Sequence, residues 1–155
     1  MSVILTLTSC AIIAAASLSS TALMAVAIAT GDERAELAEK GLETQYVDCE
    51  LLVKTLNGFD CHIKQLSENE IHVSTTAGNL IYRRDSIEEP FRMYLDEITD
   101  AEALIENIRS LEVDYKRNVQ AYTYDHIRKN LTDDMTIVEE TVMEDDAVYL
   151  TINIE

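Results

Sequence analysis

Residues 3–29 read VILTLTSCAIIAAASLSSTALMAVAIA. These 27 residues contain no charge, no proline and no glycine. As a helix the stretch would be about 40 Å long at 1.5 Å per residue. The hydrocarbon core of a bilayer is about 30 Å thick. Eleven large apolar side chains favour lipid, and Leu, Ile and Val each contribute about −0.3 to −0.6 kcal/mol at a helix centre. Seven hydroxyls and eight alanines dilute that gain. Ala11, Ala15 and Ser19 recur every four residues, a spacing that lets helix backbones approach closely and lets Ser bond across the contact. The reading is therefore a hydrophobic helix whose Ala11, Ala15 and Ser19 face associates with other helices, in a membrane or in the dry centre of an assembly.

A signal peptide fits less well. Ala27-Ile28-Ala29 has the small-x-small form of a cleavage site, but no Lys or Arg precedes the run, and the run is about twice the usual signal core. Leu7-Thr8-Ser9-Cys10 has the form of a lipobox with only nine residues before the cysteine. Arg34 and Lys40 follow the stretch and none precedes it, which places the following residues on the cytoplasmic side if the stretch spans once.

All 41 charged side chains lie after Thr30, so the remaining 125 residues carry the whole net charge of −17. That charge opposes nucleic-acid binding, which needs clustered Lys and Arg, and docking on anionic lipid surfaces. It suits solubility and mutual repulsion of the soluble parts. Three cysteines, Cys10, Cys49 and Cys61, form no CxxC pair and no disulfide framework. Free thiols in a cytosol-facing domain are the simplest reading, with a Cys49–Cys61 bridge as the alternative.

Residues 31–41 read as a charged helical stalk, with Glu36 and Lys40 in i, i+4 order and Gly41 as its end. Residues 42–155 read as one acidic α+β domain. Leu42 to Tyr46 is a first strand. Asp48 caps a short helix over Cys49 to Leu56, and Asn57-Gly58 ends it. Strands come next at Phe59–Leu66, Glu70–Thr76 and Leu80–Arg84, with a short one at Phe91–Leu95. Thr99-Asp100-Ala101-Glu102 has the spacing of a capping box. The long helix after it runs to about Asn130, with Leu104, Ile108, Leu111, Tyr115, Val119 and Tyr122 along one face. A hairpin of Met135–Met143 and Ala147–Ile154 closes the chain around Glu144-Asp145-Asp146. The expected fold class is α+β: an N-terminal hydrophobic helix, then a small antiparallel sheet packed against one long and one short helix.

Tyr122-Thr123-Tyr124, Ile127, Leu131, Ile137-Val138-Glu139-Glu140, the acidic turn and Val148 to Ile154 resemble the C-terminal half of a family. That family is the domain of unknown function numbered 1257, found in cyanobacteria, plastid genomes and other bacteria. The early strand, with Asp48 to Leu56 and Asn57-Gly58-Phe59, resembles its opening strand and helix. The resemblance covers about Leu42 to Glu155. The family's glycine-rich middle is missing here, and its helix-ending glycine is replaced near Asp133. The resemblance implies a compact α+β fold and no chemistry.

Several groups of residues invite a functional reading. Cys61, His62 and His72 carry metal-ligating atoms on two strands expected to pair. A turn at Ser67 to Asn69 sets Gln65 opposite His72 and His62 near Thr75, which puts the histidines on opposite faces and opposes a shared metal. Asp48, Cys49 and His126 could supply a carboxylate, a thiol and a base, but at spacings any protein with three His and three Cys offers. Asp133-Asp134 and Glu144-Asp145-Asp146 lack EF-hand spacing. Arg83-Arg84-Asp85 can grip a carboxylate or phosphate, or form a local salt bridge. Asn130-Leu131-Thr132 matches a glycosylation acceptor. No Gly-rich phosphate loop or serine-nucleophile signature occurs. The sequence thus assigns no catalytic, cofactor-binding or metal residues and no cofactor. It points to a non-enzymatic membrane-anchored scaffold whose partners are its own copies, other protein subunits and lipid. The alternative is a structural subunit of a particle or filament, with the apolar helix in a protein core.

Overall fold

The computed structural model describes residues 39–142 and 148–154, and residues 2–7 in their backbone. The elements are β1 (Ser2–Leu7), β2 (Leu42–Glu43), α1 (Cys49–Leu56), β3 (His62–Ser67), β4 (Glu70–Ser74), β5 (Gly78–Arg83), β6 (Arg92–Ile98), α2 (Ala101–Lys129), β7 (Met135–Val142) and β8 (Val148–Ile154). The class is α+β, as the pattern implies. The chain divides into two compact units, one of residues 16–115 and one of residues 1–15 with 116–155. The division falls inside α2, so residues 42–155 are shared between them.

In the first unit an antiparallel sheet runs β2-β6-β5-β4-β3. Its inner face is apolar because alternate residues point the same way. Ile71, Val73, Leu80, Tyr82 and Met93 are buried there. Leu51, Leu52 and Leu56 of α1 are buried as well, with Leu104, Ile108, Leu111 and Tyr115 of α2 at the expected helical spacing. Asp48 caps α1 as expected, its carboxylate accepting from Leu51 N at 3.0 Å. The cap of α2 is Asp100 rather than Thr99: Asp100 Oδ1 accepts from Ala103 N at 3.1 Å. The N–H groups of Thr99 and Asp100 both go to Ala77 O at 2.9 Å, which fixes the entry one residue later than the capping-box spacing suggests.

Gly41 lies between the charged segment and β2 with φ +70, a conformation that costs L-residues energy. A Cβ there would stand 2.8 Å from the ring of Tyr94, so the glycine backbone rests on that ring. Arg84, only 5% exposed, directly follows β5. It donates to Asn69 Oδ1 (3.0 Å), Glu68 O (3.0 Å), Glu89 O (3.2 Å) and Val47 O, with its guanidinium 4.2 Å over the Phe91 ring. It fastens three loops at one end of the sheet.

In the second unit the sheet order is β1-β8-β7, all antiparallel. Leu150 and Ile152 of β8 are buried. The expected terminal hairpin is present, with residues 143–147 outside the described set. Its neighbouring strand is unexpected. Residues 3–7, whose composition suggests the start of a helix, form strand β1 against β8, with Ser2 opposite Asn153 and Leu7 opposite Val148. The physical reason is that a central strand must satisfy both rows of backbone groups, and the Val, Ile and Thr of residues 2–7 suit a strand. The rest of the apolar stretch, including Ala11, Ala15 and Ser19, lies outside the described residues.

Each of three strands carries one extra residue, at Leu66 in β3, Asp96 in β6 and Val138 in β7. Leu66 and Val138 are among the exposed large apolar side chains, at 50% and 58%. Both are exposed where the bulge takes them out of the inward-outward alternation.

Candidate functional site

The outer face of the five-stranded sheet collects the polar side chains that the sequence singles out. The bulge at Leu66 moves the β3–β4 register by one residue, so that His62 faces Ser74 and Lys64 faces His72. Directly opposed residues share a face. The two histidines therefore lie on the same face, correcting the expectation that they point apart. The expected pairing of Gln65 with His72 becomes Gln65 with Ile71. His72 is engaged by its own strand: Nε2 lies 2.8 Å from Glu70 Oε1. Arg83 Nη2 donates to that same oxygen at 3.3 Å. The His72 bond first, and Arg83 second, hold the Glu70 carboxyl below the ordinary glutamate range.

Cys61 precedes β3, its thiol donating to Leu56 O at 3.3 Å. Burial, then the Asp60 charge, push that thiol up. Among the described residues no three or more His, Cys, Asp or Glu side chains are arranged to hold a metal ion.

Arg83 and Arg92 stand directly opposite one another on β5 and β6. Like charges in that position repel. Glu70 faces Arg83 from β4 and Glu43 faces Arg92 from β2, which gives a Glu-Arg-Arg-Glu row across four strands. The Arg92–Glu43 contact is 3.3 Å and exposed. Arg83 also lies 5.4 Å over the Tyr94 ring. The salt-bridge reading of Arg83 therefore holds through Glu70, while Arg84 turns inward to carbonyls rather than to Asp85.

Of the thiol-carboxylate-base trio, Asp48 and Cys49 belong to the first compact unit and His126 to the second. The Asp48 carboxylate is used as the α1 cap. Cys49 Sγ accepts from Gln65 Nε2 at 3.5 Å, and burial raises its pKa despite the opposing effect of Arg84. A raised thiol pKa is the reverse of nucleophile activation. His126 belongs to the other compact unit, its ring stacked on Tyr122 at 6.1 Å between centroids. Cys49 and Cys61 are both free thiols, as the simpler reading has it. The Asn130 amide, the potential glycan acceptor, donates to His126 O at 2.7 Å and closes the end of α2. Asp134 accepts from the Thr132 hydroxyl, and Glu144-Asp145-Asp146 lies outside the described residues.

One feature that sequence reasoning misses is a cavity of about 150 Å³ in the first unit. Apolar side chains of α1, β4, β5 and α2 form part of its lining, with the polar Cys61, Thr75 and Asn107 beside them. Asp60 and Thr76, neither of them buried, form part of the lining and so mark where it opens. Tyr82 is fully buried, and its hydroxyl has no hydrogen-bond partner among the described residues. It packs edge-to-face on Tyr46, which packs in the same way on Tyr115, at 5.8 and 4.7 Å between centroids. Of the three, Tyr115 is bonded: its oxygen accepts from Val47 N and Asp48 N at 3.2 and 3.1 Å. The signal available in the sequence was a tyrosine in register with the inward residue Leu80. An apolar face that carries a hydroxyl needs a partner for it.

Comparison with family models, with curated proteins and with solved structures finds no match.

Proposed function

We propose that the chain is a non-enzymatic structural subunit, held to copies of itself and to other protein subunits through the apolar residues 8–29. The observation that carries this reading is the pairing of β1 with β8. A segment that crosses a bilayer once leaves its ends on opposite sides. Here Leu7, at one end of the apolar stretch, is opposite Val148 in a sheet. Thr30, at the other end, leads by way of residues 39–142 to that same β8. No helix among the described residues is long and apolar enough to cross a membrane, and residues 8–29 lie outside that set. A single crossing with a cytoplasmic head fits this arrangement poorly, and packing of the stretch against protein fits it well.

Exposed apolar side chains support association. Val142 is 64% exposed and Val138 is 58%. Val142 and Val148 line an open groove with Ala121 and Tyr124 on α2. The acidity of residues 31–155 keeps nucleic acid outside the partner set and favours subunits that bring basic side chains.

Lipid is the second reading. Residues 8–29 still number 22 without a charge, about 33 Å as a helix. Both of its ends would then meet the same face of the bilayer. Sedimentation of the full chain separates the two. An oligomer without detergent, dissociated by Ala15→Leu, is the outcome expected of a subunit. A monomer that floats with phosphatidylcholine vesicles would overturn the assembly reading in favour of lipid.

A further inference from the structure

We infer that the open pocket at the Arg83–Arg92 pair is a binding site for a small organic acid carrying a single carboxylate. The inference is independent of how residues 8–29 associate, since every residue that forms the pocket belongs to the first unit. Both arginines line the pocket, and their side chains remain 48% and 41% exposed, so both can touch a ligand. The pocket measures about 400 Å³, within the range of about 300–1,000 Å³ usual for small-molecule sites.

Charge identifies the ligand. The chain has 12 Lys and Arg against 29 Asp and Glu, yet it sets two arginines directly opposite one another on β5 and β6. Like charges so placed repel. The glutamates of the same row relieve this only at its two ends. Glu70 and Glu43 each accept one bond of 3.3 Å from their arginine, and neither pair is a bidentate fork. Glu70 Oε1 is also shared with His72. Among the described residues no acceptor meets Nε or Nη1 of Arg83. Arg92 is held in place by backbone: Nε donates to Lys40 O at 2.9 Å and Nη2 to Gly41 O at 3.4 Å. A guanidinium fixed in this way loses little freedom on binding. A carboxylate between the two arginines takes a charge-assisted bond from each and offsets their repulsion. Glu43, Asp85 and Glu89 also line the pocket and oppose a second negative charge on the ligand. The third arginine of the lining, Arg84, is already committed to loop carbonyls and to Asn69. One carboxylate on a small carbon skeleton satisfies these limits.

Propionate is the probe, with propionamide as its neutral counterpart and with succinate and inorganic phosphate as doubly charged controls at pH 8. Carbon-detected NMR of the arginine guanidinium groups in the full chain should show saturable propionate shifts at Arg83 and Arg92, in the millimolar range expected of so few heavy atoms. Arg109, an exposed arginine on α2, should not shift. Propionamide should not bind, and succinate and phosphate should bind about fivefold more weakly. Arg83→Gln should weaken propionate about tenfold, and Arg83→Lys, which keeps the charge without the fork, should fall between. The contrast between Arg83 and Arg109 in the unaltered chain keeps the test decisive if a variant fails to fold. Absence of saturation, shifts at Arg109 equal to those at Arg83, or unchanged affinity in folded Arg83→Gln would overturn the site. Phosphate or succinate binding as tightly as propionate would overturn the restriction to a single carboxylate.

Discussion

Replacing Arg84 tests how the first unit is held together. Its guanidinium donates to four acceptors from three separate loops and stacks on Phe91, at 5% exposure. Arg84→Met keeps the length and apolar stem and removes every donor. Four bonds at a net value near 1 kcal/mol each give about 4 kcal/mol. Methionine packing on Phe91 returns about 1 kcal/mol, leaving a loss of about 3 kcal/mol. Arg84→Lys keeps the charge but presents a compact ammonium in place of a planar fork, and reaches fewer of the acceptors. A loss of about 2 kcal/mol is expected on the same scale. Asp85→Ala is the control, because Arg84 bonds carbonyls and an amide instead of its neighbour. It should change stability by less than about 0.5 kcal/mol. Urea unfolding followed by near-ultraviolet circular dichroism reports the packed tyrosines Tyr46, Tyr82 and Tyr115 in this unit. With a urea slope of about 1–3 kcal/mol per molar, Arg84→Met should move the midpoint down by about 1–3 M. A midpoint within error of the parent, or equal losses for Asp85→Ala and Arg84→Met, would refute the role of the clamp.

Other substitutions discriminate equally well. Tyr82→Phe should be neutral or stabilising by up to about 1 kcal/mol, since it removes an unbonded hydroxyl, whereas Tyr115→Phe should cost about 2 kcal/mol by leaving two N–H groups without their acceptor; thermal unfolding of the pair measures the contrast. Gly41→Ala should destabilise by about 1–2 kcal/mol because φ is +70 and its Cβ meets Tyr94, and Tyr94→Ala should restore part of that loss. Gly78→Ala should be worse, and no side-chain change should rescue it, because the new Cβ would collide with the Glu97 carbonyl oxygen. Glu70 has a depressed pKa in the folded state, first through His72 and then through Arg83. Its contribution to stability is therefore present above the unfolded glutamate value and fades as pH falls through the folded one. Carbon-detected NMR titration should give Glu70 a lower midpoint than the exposed glutamates, and Arg83→Gln should raise it.

Local physics made much of the first unit legible. Leu104, Ile108, Leu111 and Tyr115 repeat at 3 or 4 residues, so α2 and the first half of its buried face can be read from the sequence, whereas Val119 and Tyr122, which continue the spacing, are half-buried and exposed. Asp48 before an apolar run marks the start of α1 for the same reason. The candidate site was less legible. Which face His62 occupies depends on one extra residue at Leu66, and a single step in register turns every side chain to the other face. The pocket depends on how α1, β4, β5 and α2 fail to fill the space between them, and periodicity does not encode that.

Residues 3–29 mark the division between the two kinds of information. Composition by itself determined that this segment is uncharged, apolar and rich in small residues, and that all the acidity lies after it. Periodicity determined that an α+β region comes next. Only tertiary structure decided that residues 2–7 join β8 as a strand instead of opening a helix. A run of Val, Ile, Leu and Thr suits either state, and strand pairing is settled by a partner with unfilled backbone bonds at the far end of the chain.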